Sequence, residues 1–273
     1  MNTKNETTYI LGHSPAEIGR LKAQADILRP ITERLLISAG IGPGMRVLDI
    51  GCGAGDVAIL AAGLVGPSGS VVGIDRNAQV LAVARERAQA AGLWHIAFEQ
   101  ASAEDFIDGR VFDVVIGRYV LMYQADPADM LRAAARLVKP GGAVAFHELG
   151  LRQECLSEPN VPLFELIDKL IRMAFSNALP NYDVGHRLIQ VFGDAGLSQP
   201  QLFCETPIWG GAEAPWGWLV DTLRSLLPQL HRMGVALKEA LELDGLKNQL
   251  RDAIVAARSQ VSGPAQICAW ARV

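Results

Sequence analysis

Hydrophobic and polar positions alternate between two patterns in the middle of the chain. Short apolar runs typical of strands occur at residues 46–50, 70–75, 95–99, 112–117 and 143–148. Segments with helical spacing lie between them at residues 56–64, 78–91 and 127–138. Nearly continuous apolar strands that alternate with helices are typical of a parallel sheet covered on both faces. The pattern therefore predicts an α/β fold.

Both ends of the chain lie outside this alternation. Residues 16–39 have helical spacing with Pro30 inside it, which predicts two helices or one kinked helix. After residue 150 the pattern predicts a loop at 209–218, with its three tryptophans, and further helices and strands. The predicted helices are 162–177, 185–195, 217–232 and 235–258, and the predicted strands are 201–207 and 266–273.

A glycine-rich turn joins the first predicted strand to the first predicted helix. It reads Asp-Ile-Gly-Cys-Gly-Ala-Gly-Asp over residues 49–56. Glycines at alternate positions let the backbone turn tightly and let a ligand approach the main chain. Asp75 ends the second strand, where a carboxylate that accepts hydrogen bonds from ribose hydroxyls is expected. Together these residues predict a nucleoside-binding site.

Two ligand classes fit such a site. A dinucleotide would place its pyrophosphate at the helix N-terminus. The spacing here is G-x-G-x-G instead of G-x-G-x-x-G, and the carboxylates of Asp49 and Asp56 would repel a pyrophosphate. A ligand with an amino group and a sulfonium and without phosphate suits them better, which indicates S-adenosylmethionine (SAM). A NAD(P)-dependent oxidoreductase is the alternative hypothesis.

Five sequence blocks extend this interpretation. They are VLDIGCGAGD (47–56), VVGID (71–75), ASAED (101–105), FDVVIGRYVLMY (112–123) and LVKPGGAVAFHE (137–148). In order and spacing they resemble the class I SAM-dependent methyltransferases, especially the small-molecule enzymes with a methyltransferase-11/25-type domain. The resemblance implies methyl transfer to an oxygen, nitrogen or carbon atom of a small, partly apolar molecule. A SAM-binding protein that does not methylate is a third hypothesis.

The resemblance also implies a fold and an organisation. The fold would be a Rossmann-like, seven-stranded, mostly parallel sheet with helices on both faces, N-terminal lid helices and helical additions near the C-terminus. Residues 1–44 would be the helical lid, and residues 45–150 the SAM-binding core. Residues 151–273 would complete the same domain with substrate-capping helices and the final strands.

The family likeness implies a set of cofactor-binding residues. Around the methionine part of SAM it places Asp49, Gly51, Gly53 and Gly55, with Arg118 and Tyr119 facing the transferred methyl group. Around the nucleoside it places Asp75, Arg76, Ser102, Ala103 and Glu104. The stretch 9–25 resembles the lid segment of a bacterial subgroup and adds Tyr9 and Gln24. For Arg118 the alternative is a structural ion pair with a nearby carboxylate.

Candidates for a catalytic role are few, because SAM already carries its leaving group. The protein mainly has to align the reacting atoms, and a base is needed only if the nucleophile must lose a proton. His147 is the candidate base, and its alternative is a histidine packed in the interior. Tyr119 and His13 complete the catalytic set, and aromatic residues are expected to wall the acceptor pocket. They are Tyr119, Tyr123, Trp209, Trp216 and Trp218.

Composition limits the partners and the compartment. Half the residues are hydrophobic and the mean hydropathy is +0.19, but no apolar run approaches the ~20 residues of a spanning helix. The formal charge of −4 without a basic stripe argues against nucleic acid. Four cysteines without CxxC spacing argue against a metal site and favour a reducing cytoplasm. We expect a small-molecule acceptor, no membrane partner, and an N-terminal segment that serves either as a lid or as a packing arm in a homodimer.

Overall fold

The computed structural model describes residues 15–106, 109, 111–235 and 244–273. Its strands form one sheet of seven and one of three, in the orders β3-β2-β1-β4-β5-β10-β7 and β6-β9-β8. The strands are β1 (Arg46–Ile50), β2 (Ser70–Asp75), β3 (Ile96–Gln100), β4 (Phe112–Arg118), β5 (Val138–Gly150), β6 (Ser157–Glu158), β7 (Gln201–Glu205), β8 (Ile208–Gly210), β9 (Gln260–Ser262) and β10 (Ala265–Arg272). In the large sheet β1 to β5 pair in parallel, and β10 runs antiparallel between β5 and β7. The predicted seven-stranded, mostly parallel α/β fold is confirmed.

Eight α-helices connect and cover the strands within the described residues. They are α1 (Pro15–Ser38), α2 (Asp56–Val65), α3 (Ala78–Ala90), α4 (Pro127–Arg136), α5 (Pro162–Ala178), α6 (Leu188–Asp194), α7 (Trp216–Arg232) and α8 (Leu246–Ala257). The first is a single helix with Pro30 inside it. The helix predicted over 235–258 is observed only as α8, and residues 236–243 lie outside the described part. None of the described helices is long and apolar enough to cross a membrane.

The large sheet is apolar on both faces, which explains its nearly continuous hydrophobic strands. Successive side chains of a strand point to opposite faces, so Val47 of β1 packs with α1, α2 and α3, while Leu48 packs with the cluster that contains α4 to α8. This places the carboxyl ends of the parallel strands between the two helical layers. The open crevice at that edge is where α/β sheets bind ligands.

Two helices near that edge begin at well-formed caps. The Asn77 side chain accepts hydrogen bonds from the backbone N–H groups of Gln79 and Val80 at the start of α3. The Asp126 side chain accepts from Ala128 N at the start of α4. These bonds satisfy amide donors that a helix leaves free in its first turn, so they fix where each helix begins.

The three-stranded sheet is absent from the sequence-based prediction, which treated residues 209–218 as a loop. Ser157, Trp209 and Val261 meet across its strands, although they come from three distant parts of the chain. Strands of two or three residues are too short to show a period of two. Their pairing therefore could not be detected from local pattern.

Candidate active site

A cavity of about 720 Å³ runs along the carboxyl edge of the large sheet. Its lining includes residues at the ends of β3, β2, β1, β4 and β5 and just before the start of β10. These are six adjacent strands, so at a spacing of about 4.8 Å the cavity extends over roughly 24 Å. Helices α1, α5 and α7 supply further lining residues.

The glycine-rich turn after β1 forms part of the wall. Gly53 has a φ of +52°, and a Cβ added there would meet no atom within 4 Å. Gly53 lines the cavity, so its missing side chain leaves space for a ligand against the backbone. Gly51 has the opposite environment, because a Cβ there would lie 2.9 Å from Val120 Cγ2.

Gly55 does not line the cavity, although the family likeness placed it beside the cofactor. A Cβ at Gly55 would lie 3.0 Å from Phe98 Cζ and 3.1 Å from Ala84 Cβ. The turn therefore directs Gly55 into the core, where it lets the start of α2 pack closely against β3 and α3. Its φ of +84° is a second reason for glycine at this position.

Asp75 is held in place at the end of β2. Its Oδ2 accepts a hydrogen bond from the Gly53 backbone N–H at 3.0 Å, and its Oδ1 accepts from Asn77 N at 2.9 Å. A carboxylate has about four acceptor positions. Asp75, which lines the cavity, therefore retains capacity for two hydroxyl donors of a ligand.

Asp49 lies at the floor of the cavity and is 1% exposed. Burial raises the pKa of its carboxyl to about 8, and the nearby positive charge of Arg118 acts in the opposite direction. Its Oδ2 has no hydrogen-bond partner among the described residues. A buried polar atom is normally paired, so this oxygen indicates a donor supplied by a ligand.

At the β3 end of the cavity, Arg76, Ser102 and Ala103 line the wall and Glu104 does not. The Arg76 guanidinium pairs with Glu104 at 3.3 Å across the surface. The Ser102 hydroxyl donates to Asp105 Oδ2 at 2.9 Å. Glu104 therefore contacts the cavity wall only through this exposed ion pair with Arg76.

Arg118 is the last residue of β4 and Tyr119 follows it, and both line the cavity. Arg118 Nη1 donates to the Thr32 hydroxyl at 3.2 Å, so the hydrogen bond seen there goes to a neutral group and not to a carboxylate. Tyr119 has a φ of 58°, a left-handed conformation that is rare for a residue with a side chain. Its phenol donates to Gln266 Oε1 at 2.5 Å.

The structure does not bring His147 to the cavity wall. His147 is 0% exposed, and it hydrogen bonds through Nδ1 to Thr32 Oγ1 at 3.2 Å and through Nε2 to Gln266 Oε1 at 2.9 Å. Burial, together with the charge of Arg118, lowers its pKa to about 3. The placement matches the alternative interpretation, a histidine packed in the interior.

Of the predicted aromatic wall, Tyr119, Tyr123, Trp209 and Trp218 line the cavity. The rings of Trp209 and Trp218 meet edge to face with centroids 6.0 Å apart. Trp216 is 2% exposed and packs in the core instead, with its indole N–H donating to Gly211 O at 3.0 Å. It is the first residue of α7, and the helix turns its side chain inward.

Of the three candidate site residues near the N-terminus, Tyr9, His13 and Gln24, the structure describes only Gln24. Gln24 on α1 lines the cavity, and its side-chain oxygen accepts from Arg20 Nη1 at 2.9 Å. Tyr9 and His13 lie outside the described residues.

Substrate-capping helices are expected after residue 150, but the sequence-based site contains no residue of α5. Asp168 and Arg172 both line the cavity and form an ion pair of 2.7 Å, and Asp168 Oδ2 also accepts from Cys155 N at 3.2 Å. Phe164 and Phe175 line the cavity from the same helix. The available signal was a carboxylate and an arginine four residues apart on a helix that is otherwise apolar on one face.

Comparison with known proteins identifies the family. A family profile described as a methyltransferase domain matches residues 41–173. The demethylmenaquinone methyltransferase of Bacillus cytotoxicus is 30% identical over 174 residues, which cover 59% of this chain and 73% of that protein. The ubiquinone biosynthesis O-methyltransferase of Sodalis glossinidius is 42% identical over 108 residues, or 39% of this chain. The chain spans only 42% of that relative's length.

A solved structure supports the fold independently. The YcgJ protein from Bacillus subtilis superimposes with a TM-score of 0.59 over 89% of this chain and 98% of its own, at 19% sequence identity. With the cavity, the glycine-rich turn and the sequence relatives together, the chain belongs to the class I SAM-dependent methyltransferase family.

Proposed function

We propose that the protein is an enzyme that binds SAM and transfers its methyl group to an oxygen, nitrogen or carbon atom of a small, partly apolar molecule. The observation that carries the proposal is the continuity of the cavity. It joins the polar wall of Asp49, Gly53 and Asp75 to a mostly apolar wall formed by residues of α5, α7, β5 and β8.

The polar end fits SAM residue by residue. The free Oδ2 of Asp49 is a partner for the cationic amino group, and Asp75 has acceptor capacity for the two ribose hydroxyls. Gly53 provides a surface without a side chain, and Arg118 provides a cation for a carboxylate. A pyrophosphate would instead face the carboxylate of Asp75 and would oppose ionisation of the buried Asp49 carboxyl. The Asp56 carboxylate, which also lines the cavity, is already paired with Arg87 at 2.6 Å. The NAD(P) alternative is therefore disfavoured by charge.

SAM, when bound, supplies a methyl group activated by a sulfonium leaving group. The contribution of this chain is orientation and exclusion of water. Leu21 and Gln24 of α1 and Leu219 and Thr222 of α7 line the cavity together with the strand ends. Holding two reactants in a productive geometry can contribute about 7–11 kcal/mol in favourable cases.

The acceptor end indicates what the second ligand resembles. Its wall is mostly aromatic and aliphatic, and the buried Asp168 and the partly buried Arg172 already neutralise each other. Such a wall favours a neutral, planar, partly apolar body. The two sequence relatives are named for ubiquinone biosynthesis and for demethylmenaquinone. Hydroxylated aromatic rings are accordingly the first acceptor class that we propose to test.

Binding and transfer experiments test the proposal in sequence. Titration calorimetry should show binding of S-adenosylhomocysteine and no binding of NAD. Label should then pass from methyl-labelled SAM to a member of a panel of phenols and hydroquinones. Binding of NAD without binding of S-adenosylhomocysteine would overturn the proposal. Cofactor binding without transfer to oxygen, nitrogen or carbon acceptors would favour a SAM-binding protein that does not methylate.

A further inference from the structure

A chain of hydrogen bonds connects two cavity residues through the protein interior. Arg118 Nη1 donates to Thr32 Oγ1 at 3.2 Å, and Thr32 Oγ1 lies 3.2 Å from His147 Nδ1. On the other side of the imidazole, His147 Nε2 lies 2.9 Å from Gln266 Oε1. The Tyr119 phenol reaches the same oxygen at 2.5 Å. Thr32, His147 and Gln266 do not line the cavity, whereas Arg118 and Tyr119 do.

The direction of every bond in this chain is determined by its chemistry. Gln266 Nε2 donates to Pro264 O at 2.9 Å, which fixes the amide with Oε1 toward His147 and Tyr119. An amide oxygen only accepts, so His147 Nε2 and the Tyr119 phenol must both be protonated donors. Burial, together with the charge of Arg118, lowers the pKa of His147 to about 3 and keeps the ring neutral. Its unprotonated Nδ1 therefore accepts from the Thr32 hydroxyl, whose oxygen accepts from Arg118.

We propose that His147 and Gln266 are positioning residues, which hold Arg118 and Tyr119 at the cavity through the neutral Nε2–H tautomer of the imidazole. The kinetic part of this inference rests on the proposed function. The structural part, the tautomer and its bonds, does not.

Tyr119 shows why such support is needed. Its φ of 58° is a conformation that costs a non-glycine residue roughly 1–2 kcal/mol. Strained residues at functional sites persist only where surrounding contacts hold them. Here the Tyr119 backbone N–H donates to His147 O at 2.8 Å, and its phenol is held by Gln266. The first contact is made by the main chain of His147, so the phenol contact with Gln266 is the one that depends on a positioning side chain.

The surroundings of His147 also oppose its protonation. Arg118 on β4 places a positive charge near the ring, and the Tyr119 ring lies 5.5 Å away edge to face. Cys268 on β10 is the cross-strand neighbour, and α1 presents the neutral Thr32. Glu148 is adjacent in sequence but directs its carboxylate to the backbone N–H groups of Val120 and Leu121. These contacts give the imidazole no anionic partner that would favour its charged form.

Nuclear magnetic resonance of the ¹⁵N-histidine-labelled protein tests the structural part without any ligand. We expect the His147 imidazole to have a protonated Nε2 and an unprotonated Nδ1. The ¹⁵N chemical shifts of both nitrogens should stay constant from about pH 5 to about pH 9. A His147→Gln variant assigns this signal, because it alone should disappear. An Nδ1–H tautomer, or a ring that titrates in this range, would overturn the proposal.

Conservative and non-conservative variants test the kinetic part. His147→Gln keeps a neutral donor toward Gln266, so kcat should remain within about 5-fold of wild type, whereas His147→Leu should lower kcat at least 10-fold. If His147 were a general base, both variants would lose activity equally, and that result would refute the positioning role.

Gln266 supplies an independent test by coupling. Gln266→Met should lower kcat about 10-fold or more, and adding Tyr119→Phe should cost less than about 2-fold further, because the two changes remove one shared bond. Gln229→Met is the matched control, since Gln229 is also a buried glutamine, 8% exposed and bonded to Asn177 and Arg232 outside the cavity. Additive losses for Gln266→Met and Tyr119→Phe would contradict the proposal. If the wild-type protein transferred no methyl group, the proposed function would fail. The nuclear magnetic resonance experiment would still confirm or refute the tautomer of His147.

Discussion

The carboxylate of Asp75 at the end of β2 accepts a hydrogen bond from the backbone N–H of Gly53 at 3.0 Å. One side chain thus fixes the turn after β1 and presents its remaining acceptor positions to the cavity. The Asp75 side chain and the glycine-rich turn are therefore mechanically coupled, and a change in either should affect the other.

Asp75→Ala tests this coupling. It should weaken S-adenosylhomocysteine binding by about 2–3 kcal/mol, roughly 30- to 150-fold, because hydrogen bonds to a charged group are lost. Titration calorimetry measures the change. Asp129→Ala is the control, since Asp129 is an exposed aspartate of α4 that pairs with Arg132. An unchanged affinity in Asp75→Ala would show that the nucleoside does not lie at β2.

Gly53→Val should abolish cofactor binding. The valine side chain would enter the space that the glycine leaves open, and a φ of +52° disfavours it as well. Gly196→Val separates the two effects, because Gly196 has a φ of +77° and open space around it but does not line the cavity. Calorimetry should show full affinity in Gly196→Val and none in Gly53→Val. Equal losses in both variants would point to strain alone.

Asp49 predicts a pH dependence of stability. Its pKa is about 8 in the folded protein against 3.8 for the unperturbed carboxyl, so the folded state binds more protons than the unfolded state between these values. Stability contributed by this site must then fall as pH rises from about 4 to about 8. Asp49→Asn removes this ionisation. Denaturant unfolding at several pH values should show the variant gaining stability relative to wild type as pH rises, and a constant difference would contradict the assignment.

Asp49 also predicts a proton release. If the cationic amino group of the ligand favours the ionised carboxylate, S-adenosylhomocysteine binding near pH 7 should release a proton from Asp49. Calorimetry in buffers of different ionisation enthalpy measures this proton. The release should disappear in Asp49→Asn, and its persistence there would assign the proton to another group.

Local pattern was sufficient for the strand–helix alternation and the glycine-rich turn, and the family resemblance supplied the seven-stranded sheet. The strands β1 and β2 and the turn at 49–56 combine buried apolar runs with residues whose backbone requirements are specific, so each can be recognised within a short window. Their strand order places Asp49, Gly53 and Asp75 together without further information. That part of the site could be predicted.

The rest of the site depends on contacts between distant residues. His147 bonds to Thr32 and Gln266, which lie 115 and 119 positions away. No local pattern indicates which of the successive residues His147 and Glu148 on β5 contacts α1 and β10. From the sequence alone, a general base and a packed histidine were therefore equal alternatives for His147. The same limit applies to α5, whose apolar face could equally be core or cavity wall.

Trp216 and Trp218 are two residues apart, and sequence alone did not show that only one of them lines the cavity. Trp218 lines the cavity, whereas Trp216 is 2% exposed in the core. Trp218→Ala should raise the acceptor KM several-fold and leave S-adenosylhomocysteine affinity unchanged, because a wall contact is lost at the acceptor end. Trp216→Ala should instead lower the free energy of unfolding by about 3–5 kcal/mol, as expected for a truncated core aromatic. Steady-state kinetics and denaturant unfolding of both variants separate the effects, and a specific rise in acceptor KM for Trp216→Ala at normal stability would reverse the assignment of the two residues.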